Sequence, residues 1–106
     1  MRTEKFLLML GLCKRAGAVI IGTPMVVKSL QEKKALKVFY ACDSSANTEK
    51  KITDKCAYYG VECIRTSYTS EELGRAVGKM GAVCALSITD KNFSNELSTL
   101  NLNEKR

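Results

Sequence analysis

One short segment of this chain combines a glycine, a helix start and a lysine, and its residue types give the clearest indication of a binding site. Gly22, Thr23 and Pro24 end a β-rich apolar run, and Met25 leads toward Lys28. Thr can cap a helix, and Pro at the first helical position gives up no needed hydrogen bond. Because free amides at a helix start favour phosphate, the segment predicts an anion site. The competing interpretation is that Gly22 and Pro24 only shape a turn and that Lys28 is a solvated surface residue.

Catalytic chemistry has little support. The chain has no His, which removes the commonest general base and every imidazole-dependent triad. The acidic residues are scattered, and Glu71 with Glu72 is explained by a helix start. Neither glycine-rich nucleotide-binding pattern occurs, and the glycines at 74, 78 and 81 indicate helix ends and tight turns. We expect no enzymatic activity, and an enzyme acting on RNA or a nucleotide ranks last among the possible functions.

The cysteines favour packing over chemistry. They are five in number, at positions 13, 42, 56, 63 and 84, and no pair has the C-x-x-C spacing typical of zinc sites or redox dithiols. With no signal-peptide pattern and no membrane-length apolar run, they indicate reduced packing residues of a cytoplasmic protein. We expect no disulfide, no metal, no cofactor and no membrane partner.

Positive charge is concentrated at the start of the chain. Of the formal charge of +6, residues 1–37 hold eight Lys or Arg against Glu4 and Glu32, whereas the remainder holds nine of each sign. A localised basic face is what a phosphate backbone attracts through counterion release. Lys14 and Arg15 also have an ordinary role, since cations complement the dipole at a helix end. Aromatic residues make up 7% of the chain, so amides, Lys and Arg must provide most nucleic-acid contacts.

Alternating helical and strand patterns predict one domain across residues 1–106, a normal size for a single core. Helices are expected at about residues 3–15, 24–33, 48–59 and 69–78 and from Asp90 through Leu100, and strands at residues 18–21, 38–42, 61–66 and 83–88. Thr3, Thr23 and Asp90 are the predicted caps, Thr69 with Glu72 has capping-box spacing, and residues 101–106 are expected to fray.

Repeated strand-helix units favour an α/β fold, a three-layer α/β/α sandwich with a four-stranded mixed sheet. The strand at 18–21 is expected to be buried. Ligands usually bind beside loops at the carboxyl ends of strands. The predicted loops of this kind are residues 22–23, 43–47, 67–70 and 89–90.

Four motifs in order resemble the kink-turn-binding ribosomal-protein family, in particular its bacterial YlxQ-like branch. They are Leu10-Gly-Leu-Cys-Lys-Arg-Ala-Gly17, Gly22-Thr-Pro-Met-Val-Val-Lys28, Asp43-Ser-Ser-Ala-Asn-Thr-Glu-Lys-Lys51 and Glu72-Leu-Gly-Arg-Ala-Val-Gly78. The resemblance extends over about residues 3–100 and implies an α/β/α sandwich that binds structured RNA.

The resemblance also implies which residues face RNA. Family members read the kink-turn with the pattern Gly-x-Asn-Glu-x-x-Lys, in which Gly22 and Lys28 match. Pro24 and Met25 replace the Asn and Glu and cannot make the same base-edge hydrogen bonds, so kink-turn recognition stays open. The family's second RNA-facing loop corresponds to Lys79-Met80-Gly81, although Met80 is equally compatible with core or loop packing.

The resulting hypothesis is a non-catalytic, ribosome- or translation-associated RNA-binding protein, monomeric and possessing no cofactor. Its partner is structured RNA, with ribosomal RNA as a candidate. The alternative is a protein-interaction module that uses an apolar surface around Pro24, Met25 and Met80. The predicted RNA-binding residues are Lys14, Arg15, Gly22, Thr23, Pro24, Met25, Lys28, Lys33, Lys79 and Met80.

Overall fold

The computed structural model describes residues 4–98, in which helices and strands follow the predicted order. The elements are α1 (Glu4–Arg15), β1 (Val19–Ile21), α2 (Thr23–Gln31), β2 (Lys37–Tyr40), α3 (Ala46–Tyr59), β3 (Glu62–Arg65), α4 (Ser70–Ala76), β4 (Ala85–Ile88) and α5 (Lys91–Ser98). The predicted cap Thr3, the helical Leu100 and the polar residues 101–106 lie outside the described residues.

The four strands form one mixed sheet in the order β1-β4-β2-β3. β4 runs antiparallel to both β1 and β2, with Ser87 opposite Ile20 on one side and Val38 on the other. β2 and β3 are parallel. This confirms the mixed sheet and places β1 and β3 at its edges. The Nζ atom of Lys37 lies 2.6 Å from Oε1 of Glu62 and ties β2 to the β3 edge.

Helices cover both faces of the sheet, which confirms the three-layer sandwich. Because neighbouring strand residues point to opposite faces, Val38 and Tyr40 pack in the cluster below α2 and α3. Phe39 lies between them in sequence and packs on the other face, where Leu10 of α1 and Leu73 of α4 also lie. The sheet is therefore buried between a layer of α2 and α3 and a layer of α1, α4 and α5.

A buried hydroxyl pair places α2 against β4. The Oγ atoms of Ser29 and Ser87 lie 3.0 Å apart, and the Ser29 hydroxyl lies 2.6 Å from the Val26 carbonyl oxygen. Both serines are almost fully buried. Since an unpaired buried hydroxyl is costly, this pairing favours one position of α2 on the sheet and so one position for the turn that precedes it.

Two predictions around β1 are wrong. The strand is half-buried instead of buried, because it is an edge strand and only one of its sides meets a neighbour. Thr23 does not cap α2, because Gly22 occupies the N-cap position at φ 98° and no side chain caps this helix. Thr23 and Pro24 are instead its first two helical residues.

α2 also ends earlier than predicted, at Gln31, because Lys33 adopts the left-handed conformation with φ 61°. The amide of Lys34 donates to the Ser29 carbonyl and the amide of Lys33 to the Leu30 carbonyl. This is the Schellman pattern, which satisfies carbonyls at a helix end and favours glycine at the left-handed position. α1, α3 and α4 close in the same way with Gly17, Gly60 and Gly78 at that position.

We expect Lys33→Gly to raise the free energy of unfolding by about 0.5 to 1 kcal/mol, because glycine removes the left-handed penalty but gains entropy in the unfolded chain. Chemical denaturation of both proteins measures the difference. The control is Lys34→Gly, which replaces the next residue, where the backbone is not left-handed, and should lower stability. Equal effects of the two substitutions on stability would contradict a left-handed backbone at Lys33.

The remaining helix starts largely follow the sequence. Thr69 and Glu72 form the predicted capping box, and Asp90 accepts amide hydrogen bonds from Asn92 and Phe93. α3 begins at Ala46, two residues before its predicted start, because Ser45 accepts from the Thr48 amide. Each strand is one or two residues shorter than predicted, and β2 begins one residue earlier, at Lys37.

Candidate nucleic-acid interface

Backbone hydrogen bonds bring four segments together where β1, β2 and β3 end and β4 begins. The Gly22 amide donates to the Ala85 carbonyl at 3.0 Å, and the Ala41 amide donates to the Cys84 carbonyl at 2.8 Å. We call this side of the molecule the loop end and define it as residues 22–25, 42–45, 67–70 and 78–84. The predicted glycine turn and the predicted loop at Lys79 to Gly81 are therefore at the same end of the sheet.

The predicted ligand loop at residues 89–90 is not part of the loop end. Because β4 runs antiparallel to its neighbours, its carboxyl end points to the opposite end of the sheet. There the Thr89 amide donates to the Ala18 carbonyl. The prediction was wrong because it applied to β4 the rule for loops that follow parallel strands, whereas β4 is the antiparallel strand of the mixed sheet.

Three helices, α2, α3 and α4, begin at the loop end, and they differ in how their first amides are satisfied. Ser45 caps α3, and Thr69 caps α4. Asp43 adds a carboxylate that accepts from the Ser70 amide at 2.8 Å and from the Ser70 hydroxyl at 3.2 Å. α2 has no side-chain cap. Since uncapped amides and the positive end of the helix dipole attract anions, α2 is the helix start best suited to a phosphate.

The side chains around this turn are open to solvent. Pro24, Lys28 and Lys79 are exposed, Met25 is 50% exposed and Met80 is 98% exposed. Gly22 and Thr23 are half-buried. Exposure of Met80 excludes the alternative that it packs in the core. Lys79, Met25 and Met80 at the loop end, together with Lys28 farther along α2, are therefore available to a partner.

The predicted cations are also electrostatically uncompensated. Within residues 4–98, no carboxylate forms an ion pair with Lys14, Arg15, Lys28, Lys33 or Lys79. Other cations do have such partners, for example Lys34 with Glu32 at 3.4 Å and Arg75 with Glu71 at 3.7 Å. In this part of the chain, the five predicted cations are therefore not engaged in ion pairs, although Glu71, the partner of Arg75, lines the same shallow pocket as Lys79.

The structure divides the predicted RNA-binding residues into a group at or near the loop end and a group of three cations at helix ends elsewhere. Gly22, Thr23, Pro24, Met25, Lys79 and Met80 lie at the loop end, with Lys28 on the exposed face of α2. Lys33 follows the far end of α2, where the Leu36 amide donates to the Ile88 carbonyl. Lys14 and Arg15 end α1, and Arg15 borders a groove of about 540 Å³ between α1 and α4, shared with Leu8 and Arg75.

The described part of the chain has little to offer a reaction or a metal ion. Residues 4–98 include no group of three acidic or cysteine side chains suited to a metal. All five thiols are free. Burial and the nearby Asp90 carboxylate raise the pKa of Cys13 to about 11, so its thiol stays neutral and unreactive at physiological pH. Across the same residues, no helix is long and apolar enough to cross a membrane.

Two residues that shape the loop end were not among the predicted site residues. Asp43 joins the loop after β2 to the start of α4, and its place directly after a strand was the available signal. Gly74 permits a close approach, because a Cβ atom built there would lie 2.2 Å from the Gly81 carbonyl oxygen. This corrects the interpretation of Gly74 as a turn glycine, since it lies within α4.

Comparisons with known proteins agree with this geometry. The model of the ribosomal protein L7Ae/L30e/S12e/Gadd45 family matches residues 4–98. The RNA-binding protein YlxQ of Bacillus subtilis (strain 168) is 39% identical over 92 residues, which cover 87% of this chain and 90% of that protein. The YlxQ protein of Enterococcus faecium is 34% identical over 97 residues, covering 92% and 91%.

Solved structures show the same fold. A protein of unknown function from Bacillus halodurans C superposes with a TM-score of 0.85 at 33% identity, covering 94% of this chain and 98% of its own. The 15.5kD RNA binding protein of Giardia lamblia superposes with a TM-score of 0.77 over 94% of this chain and 85% of its own. At 19% identity, that second likeness concerns the fold alone.

Proposed function

Because the chain belongs to the ribosomal protein L7Ae/L30e/S12e/Gadd45 family, we propose that this non-catalytic RNA-binding protein holds the backbone of a structured RNA at its loop end. The observation that carries the proposal is the uncapped start of α2. Lys28 lies on the same helix, and the Gly22 amide at its start donates to the carbonyl of Ala85, at the beginning of the strand that follows the loop of Lys79. Backbone amides and ammonium groups donate hydrogen bonds to phosphate oxygens, and the positive end of the helix dipole attracts the phosphate charge.

The same residues limit what the site reads. Pro24 has no amide hydrogen and no side-chain donor, and Met25 offers only a weakly accepting sulfur. Both are exposed, at the two positions where the family resemblance implies base-edge contacts. Selection of the target therefore depends on the path of the RNA backbone more than on base identity, and we expect tolerance to sequence changes that preserve RNA shape.

A binding titration at several salt concentrations tests this function. The logarithm of the affinity for a folded RNA should fall linearly with the logarithm of salt concentration. We expect Lys28→Gln to weaken binding about fivefold at low salt and to reduce the magnitude of the slope by about 0.9, the value for one phosphate contact.

Lys34→Gln is the matched control, because Lys34 is paired with Glu32 at 3.4 Å and lies beyond the end of α2. It should leave both the affinity and the slope nearly unchanged. Affinity that does not depend on salt, or equal effects of the two substitutions, would contradict a phosphate contact at Lys28.

The setting of this function is the bacterial ribosome or its assembly in the cytoplasm, with ribosomal RNA as the target and a monomer as the binding unit. Support comes from the family description, which names ribosomal proteins, and from two bacterial relatives described as RNA-binding. Crosslinking in cells followed by sequencing of bound RNA would identify the target. Recovery of messenger RNA alone would contradict a ribosomal one.

Exposed methionines favour a second candidate function, a protein-interaction module at the same loop end. Met80 is 98% and Met25 50% exposed, and methionine adapts well to partner surfaces. Affinity purification before and after nuclease treatment separates the two functions. A partner that persists after nuclease and is lost in the Met25→Ala/Met80→Ala variant would support the module.

A further inference from the structure

α3 carries an exposed aromatic ring on the same side as two lysines that precede it. Tyr58 is 80% exposed, and its ring centroid lies 4.8 Å from that of Tyr59 at 86°, an edge-to-face contact that supports it. Lys51 and Lys55 precede it by seven and three residues, a spacing that places all three on one side of a helix. Within residues 4–98 neither lysine has an ion-pair partner, whereas the neighbouring Lys50 is paired with Asp54 at 3.0 Å.

The contacts of Glu49 show which way this side of α3 points. Glu49 accepts from the Tyr40 hydroxyl at 2.9 Å and lies 3.9 Å from the guanidinium of Arg65 on β3. That flank of α3 therefore faces the β3 edge of the sheet. Lys51 and Tyr58 are about half a turn away from Glu49 around the helix, so they lie on the side of α3 away from the β3 edge, and both are exposed.

This side of α3 is continuous with the loop end. α3 and α2 both begin there and run away from it, and the two helices are in contact. A helix of 14 residues is about 20 Å long. A single strand with stacked bases advances roughly 3.4 Å for each nucleotide, so about six nucleotides reach from the loop end to Tyr58.

We propose that Lys51, Lys55 and Tyr58 bind a single-stranded extension of the RNA whose folded part occupies the loop end, with Tyr58 stacking on a base. This inference rests on the proposed function. Stacking platforms flanked by cations are how proteins hold single strands without reading sequence. The other aromatic side chains of residues 4–98 are buried or half-buried, so Tyr58 is the exposed ring in that part of the chain.

The test compares one folded RNA without an extension and with a six-nucleotide single-stranded extension at either end. Wild-type protein should bind one extended form about tenfold more tightly, the usual effect of one stacked base. Tyr58→Ala should abolish that gain, and Tyr58→Phe, which keeps the ring, should retain it. Because Tyr58 is exposed, thermal unfolding of both variants should match that of the wild type.

Matched lysine variants test the flanking charges. Lys51→Gln/Lys55→Gln should reduce the salt slope for the extended RNA by about 1.4, twice the single-strand value of roughly 0.7 for each contact. Lys50→Gln, from the paired neighbour on the same helix, should not change it. Equal slopes for the double variant and the control would overturn the proposal.

An optical measurement provides independent support, because the chain has no Trp. Tyr58→Trp introduces a single indole whose fluorescence should be quenched by the extended RNA and not by the unextended one. Leu8→Trp, at a position on α1 that is 69% exposed in the opposite layer, should not respond.

If the unextended RNA binds and the extension adds no affinity, this inference fails alone; if neither RNA binds, the proposed function fails.

Discussion

Gly74→Ala is expected to lower the free energy of unfolding by about 3 kcal/mol, within the upper range for overpacking a filled site. The new Cβ would lie 2.2 Å from the carbonyl oxygen of Gly81 and 3.5 Å from a methyl of Val83. The first contact is with backbone, so no side-chain rotation relieves it. Alanine gains about 1 kcal/mol over glycine in helix propensity, which is too little to offset the clash.

The effect should extend to RNA binding, because the displaced segment contains Lys79 and Met80. Denaturant unfolding gives the stability change, and RNA titration well below the unfolding transition gives the change in affinity. Gly11→Ala is the matched helical control. Its Cβ would lie 3.3 Å from the Ala76 carbonyl oxygen, a distance that a small shift relieves, so we expect a change below about 1 kcal/mol. Similar losses for both variants would show that the close approach to Gly81 is not the cause.

Pro24→Asn/Met25→Glu should raise the affinity for kink-turn RNA about thirtyfold relative to a duplex of the same length. The expectation follows from the resemblance, in which Asn and Glu at these positions read base edges, and from a value of about 1–3 kcal/mol for each specific base contact. The fold should tolerate both changes, since both positions are exposed in the first turn of α2. Glu there also suits the helix dipole.

The control variant Pro24→Ala/Met25→Ala separates two causes of higher affinity: new hydrogen bonds from Asn and Glu, and removal of the Pro24 and Met25 side chains. It removes the same two side chains without adding polar groups, so it should not discriminate between kink-turn and duplex. Competition between the two RNAs at one salt concentration measures the ratio directly. If the wild type already prefers the kink-turn thirtyfold, specificity comes from outside these two positions.

Features governed by neighbouring residues were predictable. The capping box of Thr69 and Glu72 involves contacts three residues apart, and the cap at Asp90 is equally local. The helix ends at Gly17 and Gly60 follow from the freedom of glycine at positive φ. Gly22 misled the prediction because it occupies the N-cap position by backbone conformation alone, while Thr23 beside it has the side chain of a cap.

Features that depend on distant partners were not predictable from the pattern. The strand order and the antiparallel direction of β4 decide which loops share an end, and no local signal at Thr89 reveals either. The contact of Gly74 with Gly81 joins a helix interior to a loop beyond its end. Lys33 is a third case. A lysine rarely adopts the left-handed conformation, so its residue type predicts the opposite, and the hydrogen bonds at the end of α2 account for the conformation it has.

The edge strand β3 has a consequence for behaviour at high concentration. It is only four residues long, its first and last residues are the exposed Glu62 and Arg65, and Arg65 donates to the Cys42 carbonyl at 2.9 Å. The other edge strand has only three residues. Short edges with charged side chains oppose pairing between sheets of separate molecules. Many copies can therefore crowd along one RNA without joining edge to edge, so such assemblies should remain reversible and dissolve when salt is added.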